Sequence, residues 1–422
     1  MRIRLRDERR EERWLRKQVL ADMSPAERRV FRQETRKQRR RAKEEALERL
    51  AHAERVRRER RILLRRCGIF LALVGLYLAF AFFIRGKYEP KTEKTETNRD
   101  PAVYSSETLL KCAMSVQFPE LTSKIRETYV VPGLRETKTI QGEFHASSMC
   151  TQMTPQGMCV TEDELLISAY CHTGRHNSVI YLIDKKSGEL LKTVPLGSKA
   201  HVGGLAYDAV NQIVWVSGGS TGAAKAIGYS LKDLRDYDEY SRTAVSAVFN
   251  YTLATMIRNS YMAYADSSLI VGLFKTSGLS QISWYQQTED GGLDAHIFAD
   301  YDAYHESVVP DFTAVTSGEV QGASQTMSEA SSESETAGRL ILSKSYGIFD
   351  SSLQIHAYED GKINYRDADA EQILRFPQKM EQVCEYDGKL YCLFESAAYC
   401  YRLQPALLID RVLVFDMEDL IG

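Results

Sequence analysis

Three histidines stand close together in the chain. His172 and His176 share the run Cys171-His172-Thr173-Gly174-Arg175-His176-Asn177, and His201 follows shortly after. A zinc centre takes ligands of this kind at about 2.0–2.1 Å and leaves a position open for chemistry. The trio is therefore a candidate divalent-metal site. No CxxC pair or helical setting accompanies it, so ordinary loop hydrogen bonding competes with that reading. Cys171 beside His172 suggests a thiol nucleophile, but neighbours on a strand face opposite sides. A second group is scattered along the chain: Gln156, Tyr261, Gln321, Glu381 and Glu395, with Arg175 and Tyr346. Amides, carboxyls and aromatic faces in this mixture suit a sugar, a peptide or a carboxylate.

Such scattered residues act together only if the fold brings them together, and the sequence contains a repeat that does so. Gln156-Gly157-Met158-Cys159-Val160, a turn, and Leu165 to Tyr170 form one unit. The pattern returns at Val202 to Tyr207 with Ile213 to Ser217, and at Tyr261 to Ala265 with Leu269 to Phe274. It returns again at Val320 to Ser324 with Arg339 to Ser343, and at Met380 to Cys384 with Lys389 to Phe394. A third strand follows each pair: Ser178 to Ile183, Ala224 to Tyr229, Gln281 to Tyr285, Ser352 to Tyr358 and Ala398 to Arg402. Units spaced by roughly 45 to 60 residues match four-stranded propeller blades. One twisted blade cannot bury both faces, whereas a ring of blades can. The expected fold is an all-β propeller of five blades over residues 129–422, with Arg411 to Met417 as a closing outer strand. Tyr129 to Ile140 adds a strand to the closure or completes a sixth blade. A β-sandwich with look-alike hairpins is the competing architecture.

In a propeller, loops entering the inner strands and loops joining the second and third strands open on one face. The first set offers Gln156, His201, Tyr261, Gln321 and Glu381. The second runs through Cys171 to Asn177, Gly218 to Gly222, Lys275 to Gly278, Ser345 to Asp350 and Glu395 to Ala397.

The runs Pro155-Gln156-Gly157-Met158, His201 to Asp208 and Ile180 to Gly188 resemble the extracytoplasmic propeller repeats of gluconolactonase-like, NHL-type and YVTN-type proteins. That resemblance implies a propeller and, for the lactonases, a divalent metal held by carboxylates and an Asn where the inner strands start. This chain has one carboxylate, Glu381, at those positions, a departure from the lactonase set.

The rest of the chain fixes the setting. Cys67 to Ile84 is uncharged, and about 18 apolar residues just cross hydrocarbon as a helix. Residues 2–66 hold 25 Lys and Arg against 12 Asp and Glu. The flank beyond the span is nearly balanced, so the positive-inside bias puts the N-terminus in the cytoplasm and the C-terminal body outside. A cleaved signal peptide would need an n-region far longer than usual and a cleavage site that the sequence lacks. Residues 1–66 read as a basic helical arm whose start, Ser24-Pro25-Ala26-Glu27, carries the N-cap, N1 and N3 types that satisfy free helix donors. Near the span its arginines suit anionic headgroups. Without interleaved aromatics the arm lacks the stacking that specific RNA binding uses. Residues 85–128 read as linker or stalk, with a short helix near Ser106 to Phe118, and residues 324–338 as a disordered acidic, Ser-rich insertion. Seven cysteines lie beyond the span, an odd number that leaves at least one unpaired.

The expectation is a single-pass plasma-membrane protein whose propeller binds or scaffolds an extracellular glycan, peptide or protein. No cofactor or nucleic acid is required. The alternative is a metal-dependent hydrolase or lactonase working on the same face.

Overall fold

The computed structural model describes Trp14, Lys17 and residues 23–87, 97–141, 146–294, 307–327 and 338–421. The chain divides into two units, Met1–Ala81 and Phe82–Gly422. The first is dominated by one continuous helix that runs from Pro25 to Lys87. Its start is a capping box: the Glu27 carboxylate accepts from Ser24 N–H at 2.8 Å, and Ser24 Oγ accepts from Glu27 N–H at 3.4 Å. By length and composition this helix is able to cross a membrane, and its apolar window is unburied.

The second unit is a five-bladed propeller. Its innermost strands are Met153–Val160, Leu205–Asp208, Tyr261–Ala265, Val320–Met327 and Met380–Tyr386, opening blades I to V in chain order. Each inner strand packs against the next, and the fifth packs against the first. Blades II and III each gain a two-residue parallel strand, Ser307–Val308 and Asn364–Tyr365, at their outer edges.

Blade V departs from the sequence expectation. Ala398 to Arg402 forms turns rather than a third strand. Arg411–Asp416 takes the third position, and the outermost strand is Ile125–Val130 from the other end of the body. Closure therefore comes from a strand lying mostly in the segment assigned to the stalk. Thr137–Gln141 completes no sixth blade. It pairs with Ala146–Cys150 in a separate hairpin.

The rest of that presumed stalk is packed too. Helix Glu107–Ser115 is capped by Ser106 and buries Leu110 and Met114. They join Phe118, Leu121 and Ile125 in a core with Phe376, Phe394 and Phe415. Asp410 fastens the segment by accepting from the N–H groups of Val103 and Tyr104 at 2.8 and 2.9 Å. The acidic insertion also shrinks, because strands Val320–Met327 and Gly338–Lys344 take both its ends. Residues 328–337 lie outside the described residues.

Five blades draw the inner strands tightly together, and a recurring Gly and Ser pair makes room. A Cβ at Gly204 would lie 2.3 Å from Met262 N, and one at Gly157 2.6 Å from Leu205 N. The neighbouring strand supplies a buried hydroxyl. Ser168 Oγ accepts from Gly157 N–H at 3.0 Å and donates to Val202 O of the next blade at 2.7 Å. Ser217 caps Gly204 N–H at 2.9 Å, and Ser343 bridges to Glu381 O at 2.5 Å. Removing one partner leaves buried groups unpaired at a cost of about 1–3 kcal/mol. Ser168→Ala is therefore expected to lower the thermal midpoint by several degrees in a calorimetric scan. An unchanged midpoint would show that this bridge does not hold blades I and II together.

Candidate functional site

A cavity of about 430 Å³ opens at the mouth of the ring. Gln156, His201, Gln321, Glu381 and Glu395 all line it, joined by Ser217, Arg258, Asn259, Phe274 and Tyr401. Both loop sets contribute.

β-Bulges aim the key side chains. The pairing of the first two strands shifts between Pro155 and Met158, between Val320 and Gly322, and between Met380 and Val383. Gln156, Gln321 and Glu381 fall inside these three irregularities, where an extra residue bends the strand and redirects a side chain. Left-handed backbone marks the same rim: Val202 has φ 48°, Glu319 φ 70° and Lys379 φ 66°. For a β-branched residue such as Val202 this is an uncommon conformation, held only where the surroundings dictate it.

The floor carries two carboxyl groups almost shut off from water. Glu381 and Glu395 are 2% and 5% exposed. Burial disfavours their ionised forms. It drives Glu381 well above the carboxylate range, reinforced by the adjacent Glu395. Burial likewise raises Glu395 to about 7, opposed by Lys379 and by the Gln156 hydrogen bond. Gln156 Nε2 donates to Glu395 at 2.9 Å, and Lys379 Nζ stands 3.8 Å from it. Burial and the neighbouring carboxyl both favour the protonated form of Glu381. Glu381 Oε1 is buried without a hydrogen-bond partner. Below the floor Gln382 crosses the ring, donating to Met262 O at 2.7 Å and Ala323 O at 3.1 Å.

The wall is aromatic. His201 packs on Tyr170 with ring centroids 4.1 Å apart. Partial desolvation at the rim, with nearby His172 and Arg258, lowers its pKa, although the residue stays open to solvent. Lys379 Nζ sits 4.2 Å from the Tyr401 ring centre.

Tyr261 does not reach the cavity. It is fully buried, its ring lying over Gly272, the residue paired with it on the next strand. Ser260 takes the mouth position instead. The signal was Gly272, whose missing side chain vacates the space the ring fills. Tyr346 lies beyond the cavity wall, half-exposed, its ring 6.2 Å from Phe274. Arg175 is exposed and outside the lining.

The histidine trio does not assemble. His172 is exposed, with Nδ1 3.1 Å from the Tyr170 hydroxyl. His176 turns to Cys171, its Nδ1 3.4 Å from Sγ. Among the described residues the group of donors that does converge is Cys150, Cys171 and His176. Grouping His176 with His172 and His201 missed this, because the turn at Gly174 brings His176 back over the strand end. Lys379 and Tyr401 were also missed, Tyr401 because its segment reads as strand.

No protein-family model and no curated protein matches the chain. Among solved structures, a glucose dehydrogenase is similar at 10% identity and TM-score 0.34, over 65% of this chain and 86% of that one. A putative 6-phosphogluconolactonase from Bacteroides uniformis is similar at 9% identity and TM-score 0.31, over 56% and 62%. Raptor from Chaetomium thermophilum is similar at 10% identity and TM-score 0.29, over 62% of this chain but only 18% of its own.

Proposed function

We propose that this protein is a membrane-anchored binding module whose propeller holds a hydroxyl-rich ligand, a glycan, on the extracytoplasmic side. One observation carries the ligand reading: the buried, unpartnered Glu381 Oε1 at the floor of a polar cavity. A buried polar atom without a partner is costly, and a ligand hydroxyl supplies the missing bond. Gln156 and Gln321 offer further amide contacts, and Tyr401 and His201 offer ring faces of the kind that pack on sugars. The anchor follows from the apolar stretch Cys67 to Ile84, and the orientation from the basic arm ahead of it.

Calorimetric titration of the detergent-solubilised full chain with wall-derived oligosaccharides tests the first part. Each neutral hydrogen bond is worth about 1 kcal/mol, so Gln321→Ala is expected to weaken binding roughly fivefold. Absence of binding to any oligosaccharide by a folded sample would remove the ligand reading. For orientation, protease added to intact cells should digest the propeller and spare the arm; the reverse pattern would overturn it.

The raised carboxyl pair favours a second reading, hydrolysis with Glu395 or Glu381 as general acid. In that case Glu395→Gln would abolish turnover of a bound ligand, a contribution of about 10²–10⁴-fold. Under the binding reading no turnover is seen in either protein.

A further inference from the structure

Away from the cavity, we propose that Cys150, Cys171 and His176 form a site for a thiophilic metal ion such as Zn²⁺. Their three ligand atoms all lie within 4.8 Å of one another. With bonds of about 2.3 Å to sulfur and 2.0 Å to nitrogen, neighbouring ligands of a tetrahedral ion stand roughly 3.5–3.8 Å apart. Cys171 Sγ and His176 Nδ1, at 3.4 Å, are already near that spacing. Thr173 Oγ1, 3.2 Å from Cys171 Sγ, marks the loop side, where water reaches a fourth position.

The scaffold around these atoms is fixed before any ion arrives. Cys150 ends the hairpin strand Ala146–Cys150, paired across to Thr137. Cys171 ends the second strand of blade I, paired to Met153. His172 N–H donates to Gln152 O at 2.9 Å, just past the hairpin, and Asn177 N–H to Ile140 O within it at 3.0 Å, so backbone bonds hold both ends of the histidine loop. Gln152 N–H also donates to Cys150 Sγ at 3.4 Å and so fixes the sulfur's position. The hairpin that fails to become a sixth blade therefore has a role, since it carries the second sulfur to the strand end. Both thiols are buried and outside any disulfide, while His176 is partly open to solvent. That is the arrangement of a closed sulfur side and an accessible entry. An ion here would pin the hairpin and the 172–177 loop to blade I at the edge of the cavity rim.

The test uses the full chain in detergent, reduced and stripped of metal, titrated anaerobically with Co²⁺ and with Zn²⁺ against a chromophoric chelator. The expected result is one equivalent per chain with a thiolate-to-cobalt charge-transfer band. Cys150→Ser, Cys171→Ser and His176→Ala should each weaken binding at least roughly tenfold, and Cys112→Ser, an exposed cysteine, should bind as the parent does. Because a ligand variant can misfold, alkylation of the unmutated chain gives a second readout. In mild denaturant, where the two buried thiols of the metal-free chain become reachable, Zn²⁺ should protect Cys150 and Cys171 and leave Cys112 reactive. Sub-stoichiometric binding, binding that survives all three substitutions, or no protection of the two thiols would overturn the proposal. So would a Cys150–Cys171 disulfide in protein isolated from cells without added oxidant, because it consumes both sulfur ligands.

Discussion

A chain that begins at residue 131 is expected to lose its cooperative thermal transition, while one that begins at residue 97 keeps it. The difference is the segment that supplies the outer strand of blade V, Ile125–Val130, and the two short helices before it. Removing them exposes the edge of Arg411–Asp416, an unpaired row of donors and acceptors that invites aggregation. It also strips Leu110, Met114, Phe118, Leu121 and Ile125 from a core they share with Phe394 and Phe415. Burial of each such side chain contributes about 1.5–3 kcal/mol. Five of them amount to roughly 10 kcal/mol, comparable to the whole stability of a typical domain. Buried Asp410 would in addition lose the two amides it accepts from. Scanning calorimetry of the two chains decides the matter, and equal midpoints would show that closure by this strand is dispensable.

The second large effect is a fall in stability as pH rises from about 4.5 to 7, centred on the carboxyls of the cavity floor. Burial raises Glu395 from an ordinary 4.5 to about 7, and Glu381 is raised as well. Over that interval the unfolded chain releases protons that the folded chain still holds, so this stabilisation is complete below about 4.5 and is lost as pH climbs through 7. For Glu395 the shift corresponds to about 3 kcal/mol. Other groups titrate in the opposite sense, among them His356, whose pKa burial lowers to about 4. The comparison that isolates the pair is therefore with the double variant Glu381→Gln, Glu395→Gln. The difference between the two proteins in thermal midpoint should change by several degrees between pH 4.5 and 7.5, with the double variant gaining on the parent as pH rises. Parallel curves would mean that the carboxyls titrate as ordinary surface groups.

Parts of this architecture are legible because they are local. Each blade begins with an alternating or wholly apolar run and a turn, and such periodicity reports strand and burial directly. The turn at Asp387-Gly388 sets Cys384 opposite Tyr391, as the two-residue spacing requires. The capping box at Ser24 and the helix after Ser106 follow from residue types at fixed offsets. The face that gathers Gln156, His201, Gln321, Glu381 and Glu395 follows from topology alone, once the strands are ordered.

Other features depend on contacts between distant parts of the chain. Ala398 to Arg402 has the composition of a strand, yet Arg411–Asp416 occupies the position it would fill. Tyr261 has the same place in its repeat as Gly157 and Gly204, but Gly272 across the sheet gives its ring a buried berth.

By itself, the order of residues determined that five like units would form, that apolar faces would be shared between them, and which loops would meet at one end. Those outcomes rest on periodicities of two and on turn chemistry, which neighbouring residues settle among themselves. Only the assembled ring decided which strand seals it, which three side chains the bulges turn inward, and that Cys150 would meet Cys171 and His176. Each of those depends on close approach between segments far apart in the chain, and the free energy of such an approach belongs to both surfaces together.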